Sequence, residues 1–150
     1  MKHWKTSNSL PSRKRRFSHK LFVYLPAILL AMLLATYLDL YFVGKQLYEF
    51  PVRPFSDVFS INIAFTVIAL PLFMWIFLCL VDKMSRWSRL VFTLFLSALV
   101  PFIEIMSEQL GFFQHGDQWN HIYSFIGYFL FLMLIWKMFK WRENGTRYTK

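Results

Sequence analysis

A chain of 150 residues that is 57% hydrophobic and 21% aromatic is too apolar for an ordinary soluble domain, where about 45–50% is usual. Its single cysteine, Cys79, excludes an intrachain disulfide, and its five scattered glycines exclude a phosphate-cradling loop. The net charge of +9 suits an anionic lipid surface, and no folded domain is visible that would read nucleic acid.

Residues 1–20 carry Lys2, Lys5, Arg13, Lys14, Arg15, Arg16 and Lys20 among small polar residues, and they read as a flexible basic arm. Four apolar blocks follow, 21–42, 58–80, 87–106 and 119–139, each near the ~20 residues with which a helix crosses ~30 Å of hydrocarbon. No alternating strand pattern is present, and an isolated sheet in lipid would leave its edge groups unpaired, so each block is expected to be helical. The fold expected is all-α, with an antiparallel bundle of four transmembrane helices over 21–139 and a basic tail over 140–150. The runner-up reading of the first block, a cleaved signal peptide, needs a small-residue cleavage site, and "LLATYLDLYF" offers no clear A-x-A, so the block is expected to stay as a membrane helix.

Cations orient the chain. Fifteen of the 17 lie in the arm, in the connection holding Lys83, Arg86 and Arg89, and in the tail with Lys137, Lys140, Arg142, Arg147 and Lys150. Only Lys45 and Arg53 fall in the first connection, and none in the third. The positive-inside rule therefore expects both termini in the cytoplasm of a multi-pass membrane protein. Its partners are then anionic headgroups on the inner face, with a second copy or another membrane protein as further candidates.

Acidic residues gather at the opposite end. Asp39, Glu49, Asp57, Glu104, Glu108 and Asp117 fall in or near the outer half, leaving only Asp82 and Glu143 inside. Helical spacing gives each block a stripe of small or polar residues: Ala31, Ala35 and Asp39; Asn62, Thr66 and Ala69; Ser97, Pro101, Glu104 and Glu108; Asn120, Ser124 and Gly127. At ~1.5 Å per residue, Asp39, Asn62, Glu104 and His121 occupy adjoining layers of an outer polar mouth.

Hydroxyls and amides between membrane helices commonly serve as packing contacts. A carboxylate there costs on the order of 2.5–3.5 kcal/mol and needs a partner or a task. Glu104 and Glu108, four residues apart, repel unless a proton or cation intervenes or the helix end opens to water. Arg53 could bridge them with its planar fork. Alternatively His121, with His115 or Asp117, could complete a metal shell on Glu104 and Glu108, although the spacing matches no H-E-x-x-H motif. Proton or cation passage is a third use, but below Glu104 no acidic layer recurs before Asp82. Ser107 and Ser124 lack the elbow of a catalytic serine.

Pro26, Pro71 and Pro101 each remove a backbone donor from a predicted helix and should kink it. Pro51 and Pro54 stiffen "FPVRPF" into an external lid. The stretch "LYEFPVRPFSDVFSINIAFTVIALP", followed by an acidic third helix and a fourth opening on tryptophan, resembles a family of small four-helix membrane proteins of spore-forming Gram-positive bacteria. That resemblance covers about 37–141 and brings no activity with it. A weaker likeness is to the VanZ-like membrane proteins, through Glu104 or Glu108 with Gln109 and through Asn120, Ser124 and Gly127. Here the expected Asp and Asn are Asn120 and Ser124, so the likeness reaches the fold alone.

The expectation is thus a membrane protein acting on a partner or envelope component through its outer mouth, with no catalytic residue assigned. The candidate residues are Asp39, Arg53, Asn62, Glu104, Glu108, Asp117, Asn120 and His121. A small cation-binding or transport unit is the alternative. A metal-assisted enzyme using Glu104, Glu108 and His121 comes third, and no other cofactor is expected.

Overall fold

The computed structural model describes residues 13–148, with side chains described from 23 to 145; residues 1–12 of the arm and 149–150 of the tail lie outside the described residues. In chain order the elements are α1 (Arg13–Gly44), β1 (Tyr48–Glu49), a π-helical turn (Phe65–Ala69) running into α2 (Leu70–Val81), α3 (Arg86–Gln109), β2 (Gln114–His115) and α4 (His121–Tyr148). Among the described residues, three helices are long and apolar enough to cross a membrane: Val23–Gly44, Arg86–Gln109 and His121–Gly145. The remaining apolar helix, Phe65–Val81, is shorter.

Several boundaries differ from expectation for local reasons. α1 begins at Arg13, so part of the arm expected to be flexible is helix, and α4 runs on through most of the tail to Tyr148. Lysine and arginine are good helix formers, and neither "RKRRFSHK" nor "KMFKWRENGTRY" contains a proline to stop the spiral. The second block starts later than residue 58. Asn62 Oδ1 accepts from the Phe65 N–H at 3.2 Å, a capping contact that marks where helix begins. In the turn that follows, the Leu70 N–H donates to the Phe65 carbonyl. This widened turn directly precedes Pro71, which has no N–H to offer Val67, so the ring is admitted without a clash. α1 and α3 run through Pro26 and Pro101 without interruption.

α1 packs against α2 and α4, and α4 packs against α1 and α3; α2 and α3, though joined by a short turn, share no face of comparable extent. The main apolar core is built from Ala27, Ile28 and Ala31 of α1, Met74, Phe77 and Leu78 of α2, and Leu132, Ile135 and Phe139 of α4. It lies toward the basic end, where the turn between α2 and α3 meets α4. There Lys140 donates to Asp82 and Glu143, while Arg89 lies 4.1 Å over the Trp136 ring and donates to the Val81 and Met84 carbonyls. Outward faces are apolar: Leu33, Ile68, Val91 and Leu130 are each at least 60% exposed, far more than water tolerates in one band.

The other end, the polar rim, is held differently. β1 and β2 pair antiparallel, Tyr48 opposite His115 and Glu49 opposite Gln114. Strands were not expected, and two residues are too few to leave a period in the sequence. Around this ladder Phe42, Tyr48, Phe50, Phe113 and Trp119 form an aromatic cap, ring centroids 5.2 to 5.8 Å apart.

Candidate functional site

The site forms where α3 ends and α4 begins. Glu104 and Glu108 stand one turn apart on the last two turns of α3. That helix stops in a Schellman arrangement: Gly111 takes φ +75, its N–H donates to the Glu108 carbonyl, and the Phe112 N–H donates to Ser107. Only glycine adopts this conformation cheaply. Phe113 is buried in the aromatic cap, which sends the chain into β2 and puts His115 opposite Tyr48. The Gly116 N–H then donates to the Leu47 carbonyl at 2.9 Å, an approach so close that a Cβ on Gly116 would lie 2.8 Å from the Gln46 oxygen. A turn through Trp119 follows, and Asn120 caps α4 by accepting from the Ile122 N–H at 3.0 Å. His121 is the first residue of that helix.

This path folds the connection back on itself. The rings of His115 and His121 come within 5.0 Å, inclined at 61°. His121 Nδ1 lies 3.0 Å from Glu104 Oε2, and its Nε2 lies 3.7 Å from Glu108 Oε2. His115 Nδ1 contacts Glu108 Oε1. Glu108 therefore turns one oxygen to each imidazole. One ligand atom each from Glu108, His115 and His121 falls within 4.8 Å of the others. Side-chain exposure rises from 15% at Glu104 to 37% at His115, so the cluster is enclosed on one side and reachable from water on the other.

The other candidates have separate roles. Asp39 accepts from the Tyr48 hydroxyl at 2.6 Å, joining α1 to β1. Burial, together with the Asp39 carboxylate alongside, raises the Tyr48 pKa well above the usual phenol, so Tyr48 is a donor here. Arg53 does not bridge the glutamates; its guanidinium donates to the carbonyls of Phe50 and Phe59 at 2.6 Å and of Ser56 at 3.4 Å, fastening its own loop. Asn62 and Asn120 are helix caps. Asp117 is exposed on the turn and outside the group of three ligand atoms. Buried Ser124 makes no hydrogen bond among the described residues, so it forms no pair with His121.

Of the candidates, the structure brings together Glu104, Glu108 and His121 with His115, one of the two further ligands the metal reading offered, and disperses the rest. Tyr48 and Gly116, which place His115, went unrecognised: a phenol in a connection carries no charge to draw notice, and a lone glycine reveals nothing about the carbonyl it will meet. Compared with family models, curated proteins and solved structures, the chain has no match in any of the three.

Proposed function

We propose that this chain is a four-span protein of the bacterial cell membrane, with both termini cytoplasmic, whose outer rim binds a divalent cation between α3 and α4. The observation that carries the cation reading is the convergence of Glu108, His115 and His121, with Glu104 behind His121. Two carboxylates a turn apart repel, and imidazoles are ordinary metal ligands, so an ion there turns an electrostatic cost into a gain. The orientation is supported by the cation distribution along the sequence. Acidic residues around the same rim favour the approach of positive ions.

The test is titration of chelator-treated protein in mild detergent with Zn²⁺ and, separately, with Ca²⁺. One ion per chain is expected, with affinity falling as pH is lowered because protons compete for the same nitrogens and oxygens. Glu108→Gln, which removes the charge both histidines face, is expected to weaken binding at least tenfold. Failure of the wild type to bind any divalent ion overturns the reading.

One observation favours a second reading, docking of a protein partner on the outer loop. Val52, Phe55 and Val58 are more than half exposed on a loop already fastened by Arg53. A preordered apolar surface of this kind binds at a reduced entropic cost.

A further inference from the structure

Resting on the cation reading, we infer that the rim is a zinc-type centre with three protein ligands, Glu108, His115 and His121, one coordination position open to water, and Glu104 as the residue that positions His121. Two distances separate these roles. Glu104 Oε2 is at hydrogen-bond distance from His121 Nδ1, 3.0 Å, and Glu104 is the most enclosed of the four side chains. His121 Nε2 stands 3.7 Å from Glu108 Oε2, beyond a hydrogen bond. That gap is close to the roughly 3.3–3.4 Å between two ligand atoms on a tetrahedral ion with bonds of about 2.0–2.1 Å.

An imidazole whose Nδ1–H is held by a carboxylate carries its lone pair on Nε2. Glu104 thus selects the tautomer and turns that lone pair toward Glu108. A lone pair facing a carboxylate is unfavourable by itself, and a cation between them reverses the sign. The two ring nitrogens point away from each other, so an ion on Nε2 is out of reach of the oxygen bonded at Nδ1. Glu104 is therefore a positioning residue and not a fourth ligand.

The donor set also selects the ion. Ca²⁺ takes six or more oxygens and Mg²⁺ keeps its waters, whereas two imidazoles and a carboxylate suit zinc and its neighbours. Structural zinc sites close with four protein ligands; three leave a position for an exchangeable one. With His115 the most exposed member, that position faces solvent and accepts water or an anionic oxygen donor.

The test uses the full-length protein in detergent, with Co²⁺ as a spectroscopic stand-in for Zn²⁺ and azide as the probe of the open position. Wild type is expected to bind Zn²⁺ and Co²⁺ at least a hundredfold more tightly than Ca²⁺ or Mg²⁺, and azide is expected to shift the visible Co²⁺ bands. Glu104→Gln keeps an acceptor for Nδ1–H and is expected to leave the bands and the azide response in place while weakening Zn²⁺ binding 10- to 100-fold. Glu104→Ala is expected to weaken it further. Asp117→Asn, an exposed acid on the same turn, is expected to change nothing and controls for loss of local charge. Circular dichroism of each variant identifies any that has unfolded, and the wild-type azide response decides the open position without any variant.

Bands that ignore azide, or that change form in Glu104→Gln, overturn the inference by making Glu104 a ligand. Binding of Ca²⁺ as tightly as Zn²⁺ overturns the zinc-type centre and leaves the broader cation reading standing. Absence of all divalent binding removes both.

Discussion

Tyr48 joins two systems at once. Its hydroxyl is spent on Asp39 and its backbone is paired opposite His115, so a single residue connects α1 to the histidine that faces Glu108. Tyr48→Phe keeps the ring in the aromatic cap and removes only the donor, leaving a half-buried carboxyl group unpaired. A loss of about 1–3 kcal/mol is expected. It should appear as a lower midpoint for thermal unfolding in detergent, with helix content unchanged below the transition. At this scale the glutamates and His121 could be found in the sequence, because a carboxylate in an apolar helix is costly enough to demand a partner. Arg53 could not be placed that way. Charge complementarity pointed it at the glutamates, yet a guanidinium flanked by two prolines finds three carbonyls nearer at hand in its own loop.

Elements show where length is a good guide and where it is not. The long apolar blocks were legible as helices because nothing else hides a backbone in lipid. The late start of the second helix was not. It depends on which of several polar residues around Ser60 captures the first free N–H, and Asn62 does so. The β1–β2 ladder was equally invisible, since its register is set by aromatic packing and by Gly116 rather than by alternation. At the basic end, Asp82 and Glu143 were visible as the two inner acids, but their common partner was not, because Asp82 and Lys140 lie 58 positions apart. Lys140 tethers the turn between α2 and α3 to α4. Lys140→Met is expected to lower stability by about 1 kcal/mol, an allowance for the partial exposure of the pair. Lys140→Arg should restore most of it, and chemical unfolding of the three proteins side by side checks both.

For the molecule as a whole, composition pointed to helices long and apolar enough to cross a membrane and cation counts suggested an orientation, while the choice of which helices touch was beyond pattern. Stripes of small residues said only that each helix has a packing face. The actual neighbours, α1 with α2 and α4, and α4 with α3, follow from how particular side chains fill space. Orientation can be tested directly. In a Cys79→Ser background, a cysteine at Asp117 is expected to react with a membrane-impermeant maleimide on intact cells. One at Lys83 should react only after lysis, and the opposite pattern would reverse the topology.

Because the main apolar core is concentrated away from the rim, the segments bearing His115 and His121 are held by ring contacts, one short ladder, the Gly116 and Asn120 hydrogen bonds and whatever joins them to Glu108. An ion bridging them would act as a clasp across that end, and its arrival or departure is expected to stiffen or slacken these connections rather than to fold or unfold the protein.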